Sequence, residues 1–277
     1  MSTRLRELMM RELPTLRHEP IDKRIRATLG GATVIDTSRA LLVWEPRRVV
    51  PTYAVPLEDL DAEVVAGNAG DTGEGMGVDA IAMPQLGDRP VLDPSIAFSV
   101  RTTEGEPLMV RRDGASAEAF RAADPDLAGY LIVDFDGFDE WYEEDERNVG
   151  HPRDPFHRID IVHSSRHVRV ELDGEVLAES SAPCLLFEPP IPPRYYLQRE
   201  DVRMELLTPS DKRTFCAYKG EASYLSHEDE ADVAWYYPAP LREAAEVTDR
   251  IAFFNELVDI SVDGDRLERP VTPWSKR

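Results

Sequence analysis

Lysine is nearly missing from this chain of 277 residues: four lysines (Lys23, Lys212, Lys219, Lys276) stand against 28 arginines. Cysteine is scarcer still, with Cys184 and Cys216 alone. Two thiols without CxxC spacing exclude both a four-thiolate zinc site and a disulfide framework. They fit a reducing compartment, so a cytoplasmic protein is expected. Positive charge is in deficit, with 32 basic against 53 acidic residues, a net charge of −21 and a pI near 4.7. A surface of that sign repels phosphate backbones and anionic lipid, which argues against nucleic acid or a membrane as partner. Long apolar runs are missing too, since stretches such as ALLVW at 40–44 fall far short of the roughly 20 residues a membrane span requires. The first twenty residues alternate charged and apolar side chains and lack the apolar centre and small-residue cleavage site of a secretory leader. Nucleophile elbows (GxSxG) and phosphate loops (GxxxxGKS) are absent as well. No motif calls for a cofactor.

What is present is an ordered globular composition, 42% hydrophobic and 31% charged, in a chain longer than the usual domain of about 150 residues. Internal repeats explain the length. Laid without gaps, RIRATLGGATVIDTSRALLVWEP (24–46) matches HVRVELDGEVLAESSAPCLLFEP (167–189), with identities that include Arg26/Arg169, Gly31/Gly174, Leu42/Leu185, Glu45/Glu188 and Pro46/Pro189. With one residue removed, PTYAVPLEDL from Pro51 lies on PRYYLQREDV from Pro193, pairing Tyr53 with Tyr195 and Asp59 with Asp201. A looser match sets Phe135 on Phe254 and Trp141 on Ile260.

Each copy opens as a hairpin, turning at Gly30-Gly31 or Asp173-Gly174, because a two-residue turn needs positive φ at both positions. Alternation in VRVELDG marks half-buried strands, and a third strand ends at proline, which cannot donate to a ladder. The fold class is therefore all-β with minor α, in two related antiparallel domains. The expected division is a helix over 1–19 interrupted at Pro14, a degenerate first repeat over 20–148, a linker over 149–166 and a second repeat over 167–277. Residues 67–114 read as glycine-rich and irregular, and SAEAFRAA beyond them as a helix.

Chemistry concentrates in the second copy, where TFCAYKGEASY (214–224) has no counterpart in the first. If it is a strand, Cys216, Tyr218 and Gly220 face one way and Lys219 the other. The plainer reading is a core strand, with Lys219 snorkelling or paired with Glu188 or Asp201. The chemical reading makes Lys219 a base or imine-forming amine, assisted by Cys216, Tyr218 and Glu188, a role arginine cannot take. A dense aromatic set (Tyr195, Tyr196, Tyr224, Trp235, Tyr236, Tyr237) supplies core, or the walls of a ligand pocket with Lys219 and Glu188 at its rim. The acidic group Asp134, Asp136, Asp139, Glu143, Glu144 and Asp145 reads as a solvated face. His151, His157, His163 and His167 lack zinc spacing, so no metal is expected. A small-molecule binding module is the leading expectation, an enzyme or a purely structural protein the alternatives. Ligand, reaction and oligomeric state are left open.

The second copy resembles the family called domain of unknown function 427. Its carrying residues are LLFE (185–188), Tyr195-Tyr196 ahead of Glu200-Asp201-Val202, CxYKGxAxY (216–224), AWxYPxP (234–240) and VDG (262–264). Ala217 and Gln198 stand where the family usually has proline. The first copy looks like a degenerate member and the whole chain like the tandem form. The resemblance implies two β-tent domains, each of two sheets pinned at one end. It also carries a nucleotidyltransferase label, but the Gly-Gly turn and close Asp-x-Asp of such sites are not matched: Gly30-Gly31 lies about a hundred residues from Asp134-Phe135-Asp136.

Overall fold

The structure is a computed structural model that describes residues 2–67, 82–83 and 89–275; of the stretch 67–114 read as glycine-rich and irregular, residues 68–81 and 84–88 lie outside the described residues, as does Lys276, and Gly105–Arg112 is a regular strand instead. The chain divides into two compact units, with the boundary in sequence between Asp154 and Pro155.

The first unit carries one α-helix, α1 (Leu5–Arg11), then strands β1 (Arg17–Pro20), β2 (Ile25–Leu29), β3 (Ala32–Thr37), β4 (Leu41–Trp44), β5 (Thr52–Pro56), β6 (Glu63–Ala66), β7 (Gly105–Arg112), β8 (Ala115–Ala122), β9 (Tyr130–Val133), β10 (Glu140–Glu143) and β11 (Glu146–Asn148). The second carries β12 (Asp160–His163), β13 (Val168–Leu172), β14 (Glu175–Ser180), β15 (Cys184–Phe187), β16 (Arg194–Leu197), β17 (Thr208–Cys216), β18 (Gly220–Ser226), β19 (Ala234–Tyr236), β20 (Ile251–Phe253), β21 (Asp259–Val262) and β22 (Asp265–Arg266).

Strand for strand the two units are the same fold. A seven-stranded antiparallel sheet runs β1-β4-β5-β9-β8-β7-β6 in one and β12-β15-β16-β20-β19-β18-β17 in the other. A four-stranded sheet runs β11-β10-β2-β3 and β22-β21-β13-β14. The chain is thus a tandem of two all-β domains, as the repeat requires, and the two-sheet pattern agrees with the β-tent expectation. Register carries the equivalence down to single residues. Trp141 pairs with Ala27, and Ile260 with Val170, the residue aligned to Ala27, so this pairing of the loose match holds in the ladders, whereas Phe135 and Phe254 do not correspond: Phe135 lies in the inner core and Phe254 in the outer cluster. Both β2–β3 and β13–β14 shift register at the same place, after Ala27 and after Val170. The hairpin turns are as read, with positive φ at Gly30 and Gly31 and at Asp173 and Gly174.

Three local expectations are corrected. SAEAFRAA is not a helix: Ala115–Ala122 is β8, with Ala117 and Ala119 buried and Glu118 and Arg121 exposed. Alanine favours a helix in isolation, but a central place between β7 and β9 offers a ladder on both sides and overrides that preference. The N-terminal helix stops at Arg11, and Arg17–Pro20 already pairs with β4 as an edge strand. The stretch read as a linker likewise contains Asp160–His163, which pairs with β15 in the corresponding place.

In each unit the two sheets enclose an inner core, built around Ile25, Ala27, Tyr53, Val133 and Trp141 in the first and around Val168, Val170, Leu197, Phe253 and Ile260 in the second. The other, outer face of each seven-stranded sheet carries a separate cluster. Trp141 anchors the first inner core, stacked on Phe135 at 5.4 Å between ring centres and donating Nε1–H to the Phe135 carbonyl at 2.9 Å. Trp141→Ala is expected to destabilise the first unit by about 3–5 kcal/mol, measured by urea unfolding; a loss below about 1 kcal/mol would contradict the central place given to it.

Candidate functional site on the outer face of the second unit

Along β15 alternate residues share a face, so Cys184 and Leu186 point to the outer face and Glu188, just past the strand, continues their row into the turn before Pro189. Glu188 meets Lys219 there. The two form a close ion pair with only 10% of the lysine and 14% of the glutamate side chain exposed.

Lys219 comes from a turn, not from a strand. β17 ends at Cys216, β18 begins at Gly220, and residues 217–219 form a three-residue hairpin loop closed by the Cys216–Gly220 pairing. Gly220 has φ +90°, which a side chain would strain, and it packs beside Leu241. Leu241 N–H donates to the Lys219 carbonyl at 3.1 Å. This folding turns Ala217, Tyr218 and Lys219 all inward. The alternation expected of a flat strand, with Tyr218 and Lys219 on opposite sides, therefore does not apply; Cys216 stays partly exposed at the edge.

Two residues that sequence reasoning did not select complete the cover. The His157 ring lies parallel to that of Tyr218 at 6.3 Å, with Nε2 3.5 Å from the second Glu188 oxygen. Arg158 lies over the Tyr218 ring at 5.1 Å and pairs with Glu243 at 2.5 Å. They fall in the stretch read as a linker, where only their nearness in sequence to β12, one edge of the sheet, hinted at a role.

Electrostatically the pair holds itself charged. Burial alone would push the Glu188 carboxyl up, but Lys219 and His157 outweigh it and hold it at about 2. Burial likewise opposes charge on Lys219; Cys216, Glu188 and the phenols nearby outweigh it and hold the ammonium protonated, well above the ordinary lysine value. Burial is also the main reason the Tyr196 hydroxyl is pushed up to about 12 and that of Tyr237 is raised well above the ordinary phenol value. Both phenols are therefore neutral hydrogen-bond donors beside the ion pair.

The aromatic set divides between the two faces. Tyr196, Tyr224, Trp235 and Tyr237 belong to the outer cluster, where they pack on each other: Trp235 Nε1–H donates to the Tyr196 hydroxyl at 3.1 Å, and Tyr224 stacks on Phe254 at 6.3 Å. Tyr195 and Tyr236 lie against the inner core instead. Asp201 is not with Lys219; it accepts a 2.6 Å hydrogen bond from Ser180, as Asp59 does from Thr37 in the first unit. Arg194 and Glu256, also missed, form a second buried pair through two bonds of 2.8 and 2.7 Å. The Arg194 guanidinium lies among the rings of Trp235, Phe254 and Trp274, and Thr272 donates to Glu256 at 2.5 Å, which ties residues 272–274 to the outer face. The available signal was that Arg194 stands where the first copy has Thr52.

The first unit holds the same carboxylate differently. Glu45, equivalent to Glu188, is buried and accepts from Arg101 Nη1 at 3.1 Å and from the Thr102 backbone N–H at 3.1 Å. The strands equivalent to β17 and β18 are β6 and β7, and residues 67–104 lie between them where the second unit has a three-residue turn. Arg48, also fully buried, donates to the carbonyls of Ile96, Ala97 and Val100 and so pins the end of that excursion.

Two further expectations change. Not all of the acidic group is a solvated face: Asp134 is buried, and Glu143 is buried and accepts from Lys23 at 2.6 Å and Tyr53 at 2.7 Å. The histidines near the unit boundary do not form a cluster; His163 and His167 each sit beside a different carboxylate, Glu246 and Glu179.

The family model described as Domain of unknown function (DUF427) matches residues 17–74 and 160–264, more than half of the chain. The two matches begin at the first residues of β1 and β12, and the first ends inside the excursion that interrupts the first unit's hairpin. No curated protein matches the sequence.

Removing one partner of a buried pair leaves an uncompensated charge, so Lys219→Met is expected to cost about 3–5 kcal/mol of unfolding free energy. Lys219→Arg, which copies the Arg101 arrangement, is expected to keep most of it. Because the folded carboxyl of Glu188 lies below its ordinary value of 4.5, the pair's stabilisation is present above pH 4.5 and is lost as pH falls from there towards about 2. Urea midpoints of wild type and Lys219→Met that stay the same distance apart from pH 7 down to pH 2 would contradict this.

Proposed function

Since the chain belongs to the family of unknown function that matches both of its units, we propose that its second unit is a small-molecule-binding domain. Its binding centre is the Lys219–Glu188 pair with Tyr196, Tyr237 and Cys216, and the first unit is a structural counterpart without that centre. The observation that carries this reading is the comparison of the two outer faces. By strand register, Tyr196, Trp235 and Tyr237 stand where the first unit has Ala54, Phe120 and Ala122. Hydrocarbon side chains suffice to build this face, as the first unit does with Leu41, Val43, Ala54, Phe120 and Ala122. Burying two phenols and an indole N–H beside an ion pair is a desolvation burden that packing does not demand. Titratable groups whose ionisation is strongly perturbed and which gather at one partly open place mark a functional-site candidate.

Binding is favoured over amine catalysis because the Lys219 ammonium is held protonated by its surroundings. A base or imine-forming amine needs the neutral form. In the charged form Lys219 is a fixed hydrogen-bond donor, and Tyr196 and Tyr237 add two neutral ones.

The test is a screen of small polar metabolites against the full chain, read by amide and indole chemical shifts. Shifts are expected at Lys219, Gly220 and the Trp235 indole and not at Glu45 or Arg101. Tyr237→Phe, which removes one hydroxyl and keeps the ring, is expected to weaken such binding about tenfold while changing stability by no more than about 1 kcal/mol. A screen that leaves these signals still, or binders unaffected by Tyr237→Phe and Lys219→Arg, would sink the reading.

A further inference from the structure

Resting on that reading, we infer the class of ligand: a short zwitterion of the amino-acid type, carrying one carboxylate and one ammonium a few atoms apart. The argument is charge balance in a buried place. Lys219 and Glu188 satisfy each other and are almost wholly withdrawn from water. A purely anionic ligand that took Lys219 would leave Glu188 with only the His157 ring, 3.5 Å from its second oxygen, and a purely cationic ligand that took Glu188 would strand Lys219. Either leaves a buried charge without its main counter-charge, a costly outcome in such a site. A neutral ligand offers single uncharged hydrogen bonds in place of a charge-assisted contact, which is roughly twice as strong.

A zwitterion alone replaces the contact charge for charge. Its carboxylate accepts from the Lys219 ammonium and its ammonium donates to Glu188, so four charges alternate in sign and none is orphaned. The surrounding groups suit both ends. The Tyr196 and Tyr237 hydroxyls, kept in their neutral form, can donate to a carboxylate, and the nearby aromatic faces favour an ammonium. Of the other groups that border the centre, Arg158 is matched by Glu243 and His157 faces the second Glu188 oxygen. Entry is from the side where the exposed fractions of Lys219 and Glu188 reach solvent, beside the partly exposed His157 and Cys216. Among its described residues the first unit offers no such site, because Glu45 is already held by both a guanidinium and a backbone N–H.

The experiment titrates the full-length protein with glycine, β-alanine, acetate, methylammonium and acetamide, following the amide signals of Lys219 and Gly220 and the Trp235 indole. Glycine or β-alanine is expected to bind at least tenfold more tightly than acetate, methylammonium or acetamide. Glu188→Gln, which leaves Lys219 as an unbalanced cation, is expected to reverse the order, gaining acetate and losing glycine by about tenfold each; its amide spectrum reports whether the unit remains folded. Lys219→Arg serves as a second variant, expected to keep the zwitterion preference with altered affinity. Acetate or acetamide binding the wild type as tightly as glycine overturns the class while leaving the binding reading intact. So does silence of all five probes when the broader metabolite screen finds a ligand at these signals. Silence in that broader screen overturns the reading underneath.

Discussion

A carboxylate buried at the end of a sheet has to be neutralised from somewhere. Both units place a glutamate just past their fourth strand on the outer face, Glu45 after β4 and Glu188 after β15, and in both it is almost wholly withdrawn from water. A carboxylate buried without a partner is costly. In both units the cation comes from the chain immediately ahead of the next equivalent strand, Arg101 before β7 and Lys219 before β18. That shared demand ties together two segments far apart in sequence and fixes how the hairpin end folds back over the sheet.

The two solutions differ in what else they permit. The first unit reaches its glutamate through a long excursion whose end is held down by Arg48 on three carbonyls and by Thr102 on Glu45. Arginine, always charged and able to bind several acceptors, suits a closed structural pair. The second unit uses a three-residue turn, and two phenols, a thiol and a histidine lie near the pair. The inner cores of the two units are interchangeable in kind. The outer faces are not, and a second pair, Arg194 with Glu256, adds to the contrast by tying residues 272–274 to the outer face of the second unit alone.

Much of this was legible in the residues. The repeat could be aligned because strands that occupy equivalent places share the same constraints of alternation, turn chemistry and proline breaks, and ladder register bears out even the pairing of Trp141 with Ile260. Glu188 stood out because it recurred at Glu45, and Lys219 because lysine is rare here. SAEAFRAA was misread since alanine and glutamate favour a helix locally, whereas the strand depends on neighbours from elsewhere in the chain. CAYKG was misread because its alternation fits a strand until Gly220 reverses direction, and nothing in the five residues says that the hairpin closes there.

By itself, then, the sequence determined the class, the duplication, the hairpin turns and the candidate residues Lys219 and Glu188, since each of these follows from local geometry or from comparison of the chain with itself. Only the tertiary structure decided that Lys219 and Glu188 meet, that Asp201 serves Ser180 instead, that Tyr195 and Tyr236 turn inward, and that His157 and Arg158 cover the pair. Those outcomes depend on which strands become neighbours in the sheet, and strand neighbours are chosen by burial and hydrogen bonding across the whole unit.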